Sequence, residues 1–522
     1  MKKTNRNLFL IFLLLTVCTT VEASSNRNKE YNILKYGAKS DGITMNTKAI
    51  QKAVDEISEA GGGKLIIPQG NFLTGSIVMK SNVHLYFEEG AVLLGSTNPY
   101  DYSELVMPGR PEADKKDDNS QMALLVAYKA NNISITGKGR IDGQGRALAL
   151  NIDSLHHIGE RVDPDYSIAS MRPNETMRPK LFRFSTCKDV TISGMELQSS
   201  ACWGLSFELC ERLRIDNVKI LNRAYWNNDG IDISDCRNVQ ITNSDINSAD
   251  DGICLKSYFP GYANDSVYIA NCTVRSSASG IKFGTASYGG FKNVTIENVR
   301  VYDTFRSILA LESVDGGAIE NIKVSDVVGT NVGNGIFIRL GHRAGKAPGT
   351  IKNVHIRNLK AQVAFGRTDS EYDMRGPAIP FFHNPIPSSI TGIPGHKVED
   401  ILIEDVEITY PGRASKGMAY VPLTRLHQVP EQVKAYPEYD MFRELPAWAF
   451  YVRHAEGITF KNVKIGLEQA DFRPPFIFDD VNGINMNGVT LPKDNNSIVL
   501  KESKRLNLDK ELKANLLNVE DL

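Results

Sequence analysis

Asn293-Val294-Thr295-Ile296, Asn321-Ile322-Lys323-Val324 and Asn353-Val354-His355-Ile356 are three copies of one pattern: Asn or Asp, an apolar residue, any residue, an apolar residue. The pattern runs outward in both directions. Upstream it reads Asn132-Ile133-Ser134-Ile135, Asp189-Val190-Thr191-Ile192 and Asn238-Val239-Gln240-Ile241, downstream Asp400-Ile401-Leu402-Ile403, with variants at Leu213, Val267 and Ile458. Between Val190 and Val354 the successive spacings are 23, 26, 28, 27, 28 and 32 residues. Alternation of apolar and polar residues over four to six positions is strand periodicity. Short strands recurring at this period predict an all-β fold, a right-handed single-stranded parallel β-helix of about ten coils. A leucine-rich repeat needs a more regular leucine pattern, and a sandwich does not hold a constant period.

The ends depart from the repeat, as terminal units of a solenoid should. Residues 46–60 predict an amphipathic helix capping the N-terminal end, with Ile50, Ala53, Val54 and Ile57 on one stripe, Asn46 as N-cap and Gly61-Gly62-Gly63 as its stop. Ahead of it, Lys2, Lys3 and Arg6 precede an apolar run from Leu8 to Val17, and Val21-Glu22-Ala23 offers small residues for cleavage. This reads as a signal peptide over 1–23, too short to span a membrane, and implies export to the periplasm or beyond. Lipoprotein processing at Cys18 fits less well. The β-helix domain is expected over 24–500, with insertions near 146–180, 364–397 and 410–450, then a polar tail over 501–522. Such insertions usually build the binding face; they and their edges carry His156, His157, Arg161, Phe381, Phe382, Tyr436, Trp448 and Arg453. With 60 basic and 61 acidic residues, nothing points to nucleic acid. Cysteines at 187, 202, 210, 236, 254 and 272 are even in number, which permits disulfides, but they recur at repeated places without metal-ligand spacing. They read as buried thiols stacked in the core. No metal and no cofactor is implied, and a monomer is expected.

A second element of each coil aligns Gly230-Ile231, Gly252-Ile253, Gly280-Ile281, Ser307-Ile308 and Gly335-Ile336, with the isoleucines stacked inward. The preceding residues, Asp229, Asp251, Ser279, Arg306 and Asn334, should then share one edge, with Asp250 beside Asp251. Adjacent strands lie about 4.8 Å apart, so Asp229, Asp250 and Asp251 form a carboxylate cluster in which at least one proton affinity must rise. A raised carboxyl donates a proton to a leaving oxygen while ionised neighbours activate water, the division of labour of glycoside hydrolysis. Asp and Gly also make turns at coil corners, which accounts for one Asp better than for three.

At these residues the chain resembles glycoside hydrolase family 28, the polygalacturonases and their relatives, from about Tyr31 to Asn462. The resemblance rests on Tyr36-Gly37-Ala38-Lys39-Ser40-Asp41-Gly42, Ile67-Pro68-Gln69-Gly70, Gly137-Lys138-Gly139-Arg140-Ile141-Asp142-Gly143, Asn227-Asn228-Asp229-Gly230 and Ala249-Asp250-Asp251-Gly252. It implies an inverting hydrolase of a pectin-type acidic polysaccharide, with Asp250 as general acid and Asp229 and Asp251 holding the attacking water. Two family motifs are missing: Ser279 stands where the family carries a histidine, and Leu309-Ala310-Leu311 where it carries Arg-Ile-Lys. The loss favours a rhamnogalacturonan or other substituted pectin over plain galacturonan. Asn227, Ser279, Lys256, Lys282, Arg306 and Arg339 are the expected substrate-binding residues, Arg339 in the register of Leu311. The insertions predict a walled groove and exo-action. Two alternatives stay open: a lyase on the same scaffold with Lys282 or Arg306 as base, and a non-catalytic glycan-binding β-helix.

Overall fold

The Asn or Asp that opens each repeat is the corner of a coil. In the computed structural model, which describes residues 29–113, 120–166, 171–375 and 378–522, Asp189, Asn238, Asn293, Asn321 and Asn353 all adopt left-handed φ values between 53° and 58°. Asn and Asp tolerate this region better than other side chains. Stacking adds a second reason for the choice. Asn353 Nδ2 donates to Asn321 Oδ1 at 2.6 Å, Asn321 to Asn293 at 3.1 Å, and Asn293 to Asp265 at 2.8 Å. A parallel ladder links Asn298, Asn271, Asn243 and Asp216 at the next corner.

The corners join strands that pair in parallel with their counterparts one coil away. One inward row runs from Tyr31 through Leu65, Leu85, Ile135, Ile192, Ile215, Ile241, Ile269, Ile296, Val324, Ile356, Ile403, Phe460 and Met486 to Leu508. These fifteen positions make the stack longer than the ten coils expected. The repeat weakens at both ends, and Lys504–Leu508 and Leu516–Asn518 still pair with the coil before them, so the segment 501–522 expected as a polar tail contributes strands. The fold is all-β with few helices. The expected signal peptide, Cys18 included, lies outside the described residues.

Thr47–Glu59 is helical and buries Ile50, Ala53, Val54 and Ile57. Asn46 is not a side-chain cap. It is buried, accepting from Lys39 N and donating to the carbonyls of Lys39 and Thr44, so it ties two loop segments together. A second helix, Gly145–His157, was not foreseen; it lies in the first insertion. The other two insertions connect Thr350–Val363 to Ser388–Thr391 and Glu407–Tyr410 to Phe450–Lys461. The six cysteines are buried and unpaired, as their repeated placement indicated; Cys210 N donates to Cys236 Sγ at 3.3 Å in such a stack.

The shared register holds at Ile231, Ile253, Ile281 and Ile336, but Leu309, not Ile308, takes the fourth place. Thr304 pairs with Val332 and Ser307 with Asn334, so this coil carries one extra residue there, a β-bulge. Ile308 therefore occupies the glycine slot. Ser307 joins the edge of Asp229, Asp251, Ser279 and Asn334, and Arg306 moves one place back, in line with Asp250 and Ala278.

The ladder gives a test of why the corners are Asn. Asn321→Ala loses both ladder bonds and faces left-handed strain, about 1–3 kcal/mol; Asn321→Gly loses the bonds alone. Thermal denaturation should place the Gly variant between Ala and wild type, and equal melting temperatures for Ala and Gly would contradict the backbone part of this account.

Candidate active site

Two adjacent coil edges bring the carboxylates together. Gly230 N donates to Asp251 O at 2.9 Å and Asp250 N to Asn228 O at 3.2 Å, which fixes Asp229 and the Asp250-Asp251 pair on adjacent coils. The glycines after them are required by packing: a Cβ on Gly252 would lie 2.4 Å from Val274 Cγ1 and 2.6 Å from Gly280 O. Asn228 is fully buried and structural, its amide donating to Ser200 O and Cys202 O and accepting from Tyr225 N. Asn227 sits at φ 56° with its Oδ1 accepting from Arg178 at 2.7 Å.

Lys256 crosses beneath Asp229. Its ammonium donates to Asp229 Oδ2 at 2.9 Å and also to Asp232, and it lies 3.9 Å from the centre of the Trp203 ring. Asp232 was not foreseen, although the alternation Ile231-Asp232-Ile233 already turns it outward beside Asp229. Lys282 bridges Asp251 at 3.3 Å and Glu438 at 3.4 Å, and Glu438 also pairs with Arg306. Glu438 and Tyr436 come from the third insertion. Ser279 contributes its backbone N–H to Asp251 Oδ1 at 3.1 Å.

Arg339 does not join this group. In register it neighbours Glu312, because the bulge shifts Leu311 inward. Its buried guanidinium donates to Gly392 O at 2.9 Å and Glu431 O at 2.7 Å, pinning the third insertion. His156 and Arg161 are likewise engaged elsewhere: His156 stacks on Tyr166 at 4.2 Å, and Arg161 lies over Tyr100. The first insertion reaches the site instead through Arg172, Glu175 and Arg178. No spacing signal marks these, because insertions do not repeat.

The carboxylates differ in proton affinity. Burial raises Asp250, and Asp251 adds to the rise against the pull of Arg306 and Lys282. Burial would raise Asp251 too, but Lys282, Lys256 and Arg306 together hold it below the ordinary value. Asp229 is raised well above it by burial and by Asp232, and burial raises Asp232 against the pull of Lys256. Lys282 stays protonated, since Asp251, Glu312 and Glu438 outweigh its desolvation.

Two cavities meet at Asp250. One, of about 190 Å³, is lined by Asp229, Asp251, Lys256, Lys282, Trp203 and Arg343; the other, of about 290 Å³, by Arg172, Trp226, Ser277, Arg306 and Glu438. Asn227, Asp250 and Tyr436 line both. Asp229, Asp251 and Cys254 also bring possible ligand atoms within 4.8 Å of one another, but the Lys256 ammonium already occupies Asp229.

A carboxyl of raised and a carboxyl of lowered proton affinity, side by side in a polar cleft on a strand stack, are the kinds of group that acid–base cleavage of a glycosidic bond requires. Residues 59–427 match the glycosyl hydrolases family 28, and the chain belongs to that family. It is a glycoside hydrolase. It is 26% identical to a probable polygalacturonase of Vitis vinifera over 76% of this chain and 77% of that one. It is 28% identical to an exo-poly-alpha-D-galacturonosidase of Dickeya chrysanthemi over 54% of this chain and 51% of that one. A hyperthermoactive exopolygalacturonase from Thermotoga maritima superposes with a TM-score of 0.57 at 27% identity, covering 73% of this chain and 87% of that one.

Arg306 lowers Asp250, so Arg306→Gln should raise it further. The carboxyl then stays protonated to higher pH, and the alkaline limb of the kcat/KM profile moves upward, whatever happens to its height. A limb unmoved or shifted downward would remove Arg306 from the electrostatics of the acid.

Proposed function

We propose that this chain is an inverting, exo-acting hydrolase of a pectin-type acidic polysaccharide: galacturonan, rhamnogalacturonan or a related glycan. The observation that carries the reading is the opposed proton affinity of neighbouring Asp250 and Asp251. Asp250, protonated, gives its proton to the leaving glycosidic oxygen. Asp251, ionised, takes a proton from water as that water attacks the anomeric carbon, and Asp229 orients the water from the adjacent coil. Inversion follows, because one displacement occurs from the face opposite the leaving group. The lyase alternative needs a neutral Lys282 or Arg306 as base. Both are held protonated by surrounding carboxylates, which speaks against it.

Exo-action draws support from the third insertion, whose Tyr436 spans both cavities, and from the exo-acting relatives. The finer architecture belongs to the same proposal: a right-handed single-stranded helix with Thr47–Glu59 as its N-terminal cap. So does the organisation of the chain as an exported monomer, with residues 1–23 removed and one catalytic domain following.

Asp250→Asn cannot donate the proton, and turnover should fall by ~10²–10⁴-fold in a protein that keeps its melting temperature. Near-normal turnover would sink the assignment. Nuclear magnetic resonance of the first-formed product should find the inverted anomer; retention contradicts the roles given to Asp229 and Asp251. On a long pectic polymer, one small product should accumulate while viscosity stays high. A rapid viscosity fall with a ladder of oligomers means the groove is open at both ends.

A further inference from the structure

The two cavities at Asp250 differ in what their cations are doing. In the first, every cation is already held by a carboxylate of the protein. Lys256 is held by Asp229 and Asp232, Lys282 by Asp251 and Glu438, and Arg343 by Asp315, whose oxygens accept from Nε at 3.0 Å and from an Nη at 2.7 Å. Behind Lys282 stands Glu312, fully buried, with neither carboxylate oxygen hydrogen-bonded. A further carboxylate entering this space loses hydration in a low-dielectric setting and finds no uncommitted positive charge among the described residues. Sugar hydroxyls, by contrast, can donate to the carboxylate oxygens that line it.

The second cavity holds the opposite feature. Arg172 makes no hydrogen bond or ion pair with any described residue; its guanidinium carbon lies over the Trp226 ring, 4.5 Å from the centroid. Asp250 and Glu175 act on it only through space. A guanidinium held over an aromatic ring, with its N–H groups engaged by no described residue, can receive a planar carboxylate in two parallel hydrogen bonds. Arg306 in the same cavity is engaged by Glu438.

With Asp250 as the proton donor, a role that rests on the proposed function, the sides of the cleavage point follow. The water held by Asp229 and Asp251 attacks in the first cavity, so the sugar losing its anomeric bond lies there, and the leaving-group sugar lies in the second. We infer that the cleaved bond joins a sugar without a carboxylate, seated over Asp229 and Asp251, to a uronate whose carboxylate is received by Arg172. The substrate class is a glycan in which neutral sugar and uronate alternate.

The test compares three probes: alternating rhamnose–galacturonate oligosaccharides with rhamnose at the non-reducing end, the same oligosaccharides with their carboxyl groups reduced to alcohols, and oligogalacturonates. Wild-type protein should release rhamnose from the first with a kcat/KM at least about 100-fold above that for oligogalacturonates, and carboxyl reduction should cost about 10- to 100-fold, the range of one charge-assisted contact. Arg172→Gln should lose the same factor on the native oligosaccharides but less than about threefold on the reduced ones, since the two changes remove one interaction. Arg172→Lys should recover part of the loss. Faster cleavage of oligogalacturonates overturns the inference while leaving the hydrolase reading intact. So does an Arg172→Gln loss of equal size on native and reduced probes, which makes Arg172 a positioning group for Asp250. Should that variant fail to fold, wild type losing nothing on carboxyl reduction is overturning by itself. No turnover of any of the three by folded wild type overturns the hydrolase reading and this inference with it.

Discussion

Each strand residue of the solenoid is governed by the one stacked on it a strand spacing away. Parallel in-register pairing at about 4.8 Å places like positions over like, coil after coil, so a residue chosen at one level is a neighbour for the next. Inward, this gives continuous aliphatic rows. At the corners it gives left-handed Asn residues whose amides bond to one another. Outward it is a harder constraint, because charges cannot choose their neighbours. The protein resolves it by alternation along the stack: Glu312, Arg339, Thr391, Arg453, Asp479 and Lys501 are consecutive in one outward row. The site obeys the same logic. Asp232, Cys254 and Lys282 are consecutive in another row, and Lys256 reaches back one coil to Asp229 and Asp232.

That constraint explains what could be read from the chain beforehand. The pattern Asn, apolar, any, apolar records a corner and the inward face of the strand after it, so the stack and the edge of Asp229, Asp250 and Asp251 were legible. Spacing alone misjudged Arg306. A bulge changes register without changing the look of the sequence, and Ser307-Ile308 resembles Gly335-Ile336 while sitting one place away from it. The error carried to Arg339, aligned with Leu311 when its neighbour is Glu312. Arg172, Glu175 and Arg178 were out of reach for another reason: they belong to an insertion, where no neighbouring copy records which residues face the groove; Tyr436 and its neighbour Glu438 stood out only by the aromatic and charged make-up of their segment.

The third insertion is held to the coils by a different means. Arg339 donates to Glu431 O and Gln432 O, Arg453 donates to Val429 O and pairs with Glu431, and His454 lies 3.2 Å from Glu431. The outward charged row thus serves as the anchor for the segment that carries Tyr436 and Glu438 over the carboxylates. The solenoid gains a shaped cleft without disturbing its own register, and the coils need supply only the carboxylates.

The cysteines carry a consequence of another kind. All six described thiols are buried and unpaired; burial raises the proton affinity of Cys202, Cys210, Cys254 and Cys272, and Cys187 is raised first by its bond to Cys210 and then by burial. Thiolate is the species that exchanges with disulfides, binds soft metals and meets oxidants. With none of it presented at the surface and no cross-link to form or break, these coils adopt one covalent state whether the surroundings are reducing or oxidising. The described part of the chain is thereby indifferent to the redox poise around it.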